Sequence, residues 1–149
     1  MKTLQALTLA LAALTGTAAL AHSDDYLDTQ KSPNGGQQRM AGIYHFELVV
    51  AKTGAQTADK PVTVYITDHA GAKVSTVGAS GTVTILADKS KATVTLTPDG
   101  DNRLKGVGKY ASTPDMKAVV SITMAGKPAE QARFTPLAAA KAAPAEHKH

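Results

Sequence analysis

The sequence predicts an all-β domain, an antiparallel two-sheet β-sandwich of immunoglobulin-like topology with seven or eight short strands. Short segments rich in Val, Ile and Thr recur along the chain, and turns of Gly, Pro, Asp and Asn separate them. No stretch of residues 37–136 keeps the 3.6-residue apolar period of a helix. Seven or eight strands within about 100 residues are typical of a sandwich.

The most regular predicted strand covers residues 43–51. The even-numbered residues from Tyr44 to Val50 are apolar and share one face, whereas His45 and Glu47 lie on the other. We therefore expect the apolar face in the core and both polar side chains on the opposite face. Further strands are predicted at residues 61–68, 81–86, 92–97, 117–124 and 129–135, with weaker ones near 73–77 and 103–107.

The first 21 residues have the composition of a secretory signal peptide. Lys2 precedes an apolar run over residues 4–14, and Ala19-Leu20-Ala21 forms a small-x-small cleavage site. Polar residues interrupt the run, so it is shorter than the roughly 20 apolar residues that span a bilayer. We expect cleavage after Ala21, export to the periplasm and no membrane insertion of the mature chain.

The remaining sequence divides into three parts by composition. Residues 22–36 are polar and turn-rich and are expected to form an extended arm, and residues 37–136 form the sandwich. Residues 137–149 form an alanine-rich tail of low complexity that contains His147 and His149. One domain is therefore predicted.

Composition argues against two classes of function. Lys and Arg total 16 against 12 Asp and Glu, and they are scattered, so no basic patch for nucleic acid is predicted. The chain lacks the nucleophile elbow, the zinc-protease helix motif and the phosphate-binding glycine loop, and it has no cysteine. We therefore do not expect an enzyme, a disulfide or a thiolate metal ligand.

Histidine is the residue type that carries the functional prediction. After cleavage, His22 offers its α-amine and its ring nitrogen to one ion, and such nitrogen ligands favour copper(II). The arm of about 20 residues is long enough to fold back and bring His22 to His45. Asp24 adds oxygen ligands, and Glu47 points the same way as His45. Met40 supplies a soft thioether that suits copper(I) better than zinc.

The predicted metal ligands are thus His22, His45, Glu47, Asp24 and Met40, with copper preferred and zinc or another divalent ion as alternatives. Structural interpretations stay open, since a strand histidine is often a surface hydrogen-bonding group and Met40 suits packing at a sheet edge. His69 is interpreted as a hairpin-turn residue, and the tail histidines as weak metal scavengers.

Six segments carry a resemblance to known proteins: residues 33–37, 41–49, 64–71, 96–106, 117–121 and 132–134. The most distinctive element is Tyr44-His45-x-Glu47. These segments resemble those of small exported proteins and adaptor-associated domains that accompany bacterial copper and heavy-metal efflux systems. The resemblance covers about 100 residues and implies a periplasmic setting near metal handling. The chain also resembles, more loosely, periplasmic copper-resistance proteins that pair a mature N-terminal histidine with a small β-sandwich, although their later histidine motif is not recognisable here.

Two main functions follow as expectations. The first is a periplasmic metal-binding protein, copper preferred, that buffers or delivers metal for heavy-metal resistance or efflux, with an efflux adaptor as a candidate partner. The second is a metal-free β-sandwich interaction module that docks on an efflux or envelope partner. An oxidative copper enzyme built on His22 is disfavoured, because so small a domain offers no obvious substrate surface.

Overall fold

A computed structural model describes residues 23–139 of the chain. Within that range it contains one short helix and eight strands, and the helix lies far below the length and apolar character that a membrane crossing requires. The elements are α1 Asp24–Thr29, β1 Gln37–Ala41, β2 Tyr44–Val50, β3 Ala58–Asp68, β4 Ser80–Ala87, β5 Ser90–Pro98, β6 Arg103–Tyr110, β7 Lys117–Thr123 and β8 Ala129–Phe134.

The strands form one antiparallel sheet in the order β1-β2-β3-β6-β5-β4-β7-β8, which curls into a nearly closed barrel. The all-β prediction is confirmed, but the immunoglobulin-like two-sheet sandwich is wrong. β5 pairs with β6 at Thr97–Lys105 and Pro98–Leu104. This pairing joins two halves, β1-β2-β3-β6 and β5-β4-β7-β8, which a sandwich would keep apart as separate sheets. On the opposite side, β1 and β8 approach each other, and the Thr135 N–H donates to the Gln37 side-chain oxygen at 2.8 Å.

Two glycines of β6 allow the tight crossing between the two halves of the barrel. A Cβ at Gly106 would fall inside van der Waals contact of the Thr95 carbonyl oxygen and 2.7 Å from Val94 Cγ1. A Cβ at Gly108 would collide with Val94 Cγ2. Because glycine has no side chain, the β5 backbone approaches β6 more closely than any other residue permits.

The core fills the inside of the barrel. Tyr44, Phe46, Leu48 and Val50 all belong to it, so the predicted alternation of β2 is confirmed. His45 and Glu47 do point to the other face, yet they are only 6% and 3% exposed. Strand β2 is therefore buried on both faces, and residues outside the core cover its outer face.

Three details of the predicted organisation differ from the structure. Residues 73–77 form no strand and contribute only an isolated bridge between Lys73 and Thr67. β1 was not predicted, because its glutamines and Arg39 hide the apolar alternation. The expected extended arm instead begins with α1, which Ser23 caps by accepting a hydrogen bond from the Tyr26 N–H at 3.2 Å.

Tyr110 and Lys60 fasten the loop between β2 and β3 to the barrel. The Tyr110 hydroxyl donates to the Pro61 carbonyl at 2.6 Å and accepts from the Ala51 N–H at 2.9 Å. The Lys60 ammonium lies 5.4 Å from the centroid of the Tyr110 ring and donates to Ser112 Oγ at 3.1 Å. Burial raises the pKa of Tyr110 above 10.0, and the hydrogen bond from Ala51 opposes this only in part.

We expect Tyr110→Phe to lower the free energy of unfolding at neutral pH by about 1–3 kcal/mol, because the Ala51 N–H and the Pro61 carbonyl lose their shared partner. A raised folded-state pKa means that the unfolded chain loses this proton first as the pH rises above 10.0. The contribution of the hydroxyl to the free energy of unfolding is therefore complete below that pH and declines above it. Urea unfolding of both proteins between pH 7 and 11 checks this, with Tyr65→Phe as control. A gap between wild type and Tyr110→Phe that widens with pH would contradict the assignment.

Candidate functional site

Two histidine rings stack on the outer face of the barrel. The centroids of His45 and His69 are 4.9 Å apart, with an angle of 25° between the ring planes. His45 lies in β2 and pairs in register with Thr67 of β3, and His69 follows Thr67 by two residues. The antiparallel pairing of β2 and β3 is thus what brings together two histidines that are distant in sequence.

The turn that carries His69 is held by its neighbour Asp68. One carboxylate oxygen of Asp68 accepts the N–H groups of Ala70 and Ala72, each at 2.9 Å. Gly71 takes the positive φ of 83° that the turn requires. The prediction that His69 is a turn residue is correct, but the prediction missed its contact with His45. That contact follows from strand pairing, which local sequence does not reveal.

A cavity of about 350 Å³ lies beside the histidine pair, and the N-terminal arm forms part of its wall. The His69 Nε2 atom is buried and has no hydrogen-bond partner among residues 23–139. A buried ring nitrogen that lacks a hydrogen-bond partner costs about 1–3 kcal/mol. The lining residues are Tyr26, Leu27, Gln30, Lys31, Pro33, Gln38, His45, Thr67, His69, Ala70 and Gly71.

Three contacts dock α1 on the edge of the barrel. The Arg39 guanidinium donates to Asp28 Oδ1 at 2.6 Å, and both side chains are largely buried. Leu27 is 5% exposed. Asp24 Oδ1 accepts the Met40 N–H at 2.9 Å, which ties the start of the helix to β1. The helix therefore lies along the edge of β1, and its Tyr26 and Leu27 line the cavity beside His45.

Met40 is the cross-strand partner of His45 in the β1–β2 register. Because the Met40 N–H points away from β2 toward Asp24, the two residues form a non-hydrogen-bonded pair. In such pairs the side chains share one face and approach most closely. The register thus places the Met40 side chain on the same face as His45 and adjacent to it.

The Glu47 carboxylate bonds to the loop that contains Asn34 and Gly36. It accepts the Asn34 N–H at 2.9 Å, the Asn34 side-chain amide at 2.7 Å and the Gly36 N–H at 3.2 Å. Both carboxylate oxygens are therefore used to hold the glycine-rich loop against β2. Glu47 shares a face with His45, as predicted, but its contacts are those of a loop anchor.

Of the residues predicted to bind metal, Met40 is the register neighbour of His45, and His69 adds a ring contact to His45. Asp24 instead bonds to the Met40 N–H, and Glu47 bonds to the glycine-rich loop. His22, His147 and His149 lie outside the described residues. Within residues 23–139 no group of three or more His, Cys, Asp or Glu side chains is arranged to hold a metal ion. Comparison of the chain with protein-family models, curated proteins and solved structures found no match.

Proposed function

We propose that this chain is a periplasmic metal-binding protein, copper preferred, that buffers or delivers metal for heavy-metal resistance or efflux. The observation that carries the proposal is the stacked pair of His45 and His69 beside a cavity. Imidazole nitrogen is a preferred ligand of copper, and divalent affinity at such sites peaks at copper. The proposed role is binding, not catalysis.

The distance between the rings suits ligation of one ion. Ligand nitrogens lie about 2 Å from a bound metal and hence about 3–4 Å from each other. The centroids are 4.9 Å apart, but the ring planes are only 25° from parallel and the lone pairs lie in those planes, so the rings must turn toward each other before their nitrogens converge on one ion. The buried Nε2 of His69 would gain the partner that the described residues do not supply.

The N-terminal histidine completes the proposed site for copper(II). Asp24 is bonded to Met40, the neighbour of His45, and two residues of extended chain cover up to about 7 Å. After the proposed cleavage, His22 would precede Asp24 by two residues, and we propose its amine and ring as further copper(II) ligands. Placement in the periplasm and an efflux adaptor as partner rest on the signal-peptide pattern and on the resemblance to efflux-associated proteins.

Calorimetric titration of copper(II) and zinc(II) into residues 22–149 tests the proposal. We expect one copper site that is tighter than the zinc site, and we expect His45→Ala and His69→Ala each to weaken copper binding at least tenfold. An extra residue before His22 should also weaken it by converting the amine to an amide. Deletion of residues 140–149, which removes both tail histidines, is the control and should change the affinity by less than twofold.

Two results would contradict the proposal. Wild-type affinity in His45→Ala together with a loss on tail deletion would place the site in the tail. No site tighter than the tail alone would favour the metal-free interaction module, whose docking surface would then be sought at the unpaired edges of β1 and β8.

A further inference from the structure

We infer that the stacked histidines and Met40 together form a copper(I) site, with two imidazoles and one thioether as ligands. This inference rests on the proposed function and specifies the oxidation state of the ion that the described residues hold. Two features lead to it: the commitment of nearby carboxylates to backbone and side-chain amides, and the register of Met40.

The carboxylates around the histidine pair are used to shape the protein. Glu47 holds Asn34 and Gly36 with both oxygens. One oxygen of Asp68 holds two N–H groups of the turn that carries His69. Asp24 holds the Met40 N–H. Ligation by Glu47 would therefore break a contact that holds the glycine-rich loop, and Asp24 and Asp68 each commit one oxygen to backbone N–H groups.

The donors of the inferred site are neutral. Imidazole and thioether carry no charge, and soft thioether sulfur favours copper(I) over zinc or copper(II). A pair of histidines completed by a methionine is compatible with the absence, within residues 23–139, of any group of three or more His, Cys, Asp or Glu side chains that could hold a metal ion. The chemistry of the donors therefore matches a soft monovalent ion.

Burial favours the same ion. His45 is 6% exposed, and the arm covers it with the buried side chain of Leu27. The cost of moving an ion from water to a medium of low dielectric constant rises with the square of its charge. A monovalent ion therefore pays about one quarter of the Born penalty that a divalent ion of the same radius meets here.

Met40 is positioned to supply the sulfur. In a non-hydrogen-bonded antiparallel pair the Cα atoms are about 4.5 Å apart and the side chains lie on one face. The Met40 backbone is fixed on one side by β2 and on the other by Asp24. Its unbranched side chain has three rotatable bonds, so the sulfur can turn toward an ion held by His45.

The test is anaerobic competition of residues 22–149 with bathocuproine disulfonate for copper(I). We expect Met40→Leu to lower copper(I) affinity at least tenfold and to change copper(II) affinity less than threefold. Met124→Leu is the matched control, since Met124 is a 5% exposed core residue that follows β7 in the other half of the barrel. X-ray absorption of the copper(I) protein should show copper–sulfur scattering in wild type and Met124→Leu that is missing in Met40→Leu.

Unchanged copper(I) affinity and retained sulfur scattering in Met40→Leu would overturn the inference. Tight copper(II) binding that depends on His45 and His69, without copper(I) binding, would also overturn it while leaving the proposed function intact. Failure of both ions to bind wild-type protein would overturn the inference and the proposed function together.

Discussion

Gly106→Ala is expected to lower the free energy of unfolding by about 3 kcal/mol, near the upper end of the usual cost of overpacking. The added Cβ meets the Thr95 carbonyl oxygen, a backbone atom that no rotamer change can move away. Strands β5 and β6 must therefore separate where the two halves of the barrel join. Equilibrium unfolding in urea measures the change, and Val107→Ala on the exposed face of the same strand serves as the control, with a much smaller expected loss.

A double-mutant comparison separates backbone collision from side-chain collision. The three atoms nearest to a Cβ at Gly108 all belong to the Val94 side chain, so Val94→Ala should recover part of the stability lost in Gly108→Ala. The same second substitution should recover much less in Gly106→Ala, because the contact with the Thr95 oxygen persists. Equal recovery in both backgrounds would show that Val94, and not the β5 backbone, limits the crossing.

Glu47→Gln is expected to lower the free energy of unfolding by about 2–4 kcal/mol. The carboxylate accepts three hydrogen bonds from Asn34 and Gly36, and a glutamine of the same shape replaces one acceptor oxygen with an NH₂ donor that faces other donors. Thermal unfolding and urea titration measure the loss. Glu130→Gln, on the half-buried edge strand β8, is the control and should cost about 0.5 kcal/mol or less.

The same variant distinguishes an anchor from a ligand. If Glu47 holds the loop, the folded Glu47→Gln protein should bind copper within about twofold of wild type, because its amide is not part of the proposed ligand set. Lost copper affinity with unchanged stability would show that Glu47 is a ligand, as the sequence pattern first suggested.

The period-2 pattern was sufficient to predict the strands with regular alternation. Tyr44, Phe46 and Leu48 face the core because alternation along β2 is a local property. The closure of the barrel was not predictable in this way, since it depends on how closely β5 crosses β6, and the function of Gly106 appears only when its partner is known. A sandwich and a curled sheet share the same alternation, so local pattern does not separate them.

The candidate site, like the fold, was predictable only where it depends on local sequence. His45 was predicted from its place on β2, and Met40 from its soft sulfur. His69 was assigned to a turn, correctly, and its ring contact with His45 depends on the long-range pairing of β2 and β3. The direction of Glu47 was predicted, but its partners in the glycine-rich loop, 11 and 13 residues away, were not. The strand face or turn position of single residues was thus readable from sequence, whereas their partners were not.

The junction between β1 and β8 has a consequence for how the molecule opens. These strands stand at the two ends of the hydrogen-bonded order, and the contacts described across the gap include Gln37 side-chain bonds to Thr135, residues 98 positions apart. The strands between them already hold these two edges near each other, so side-chain bonds at the surface, which contribute little, are what opposes their separation. Amide hydrogen exchange should therefore be fastest along this junction, so that the barrel opens there, beside the arm that covers the histidines, well before it unfolds.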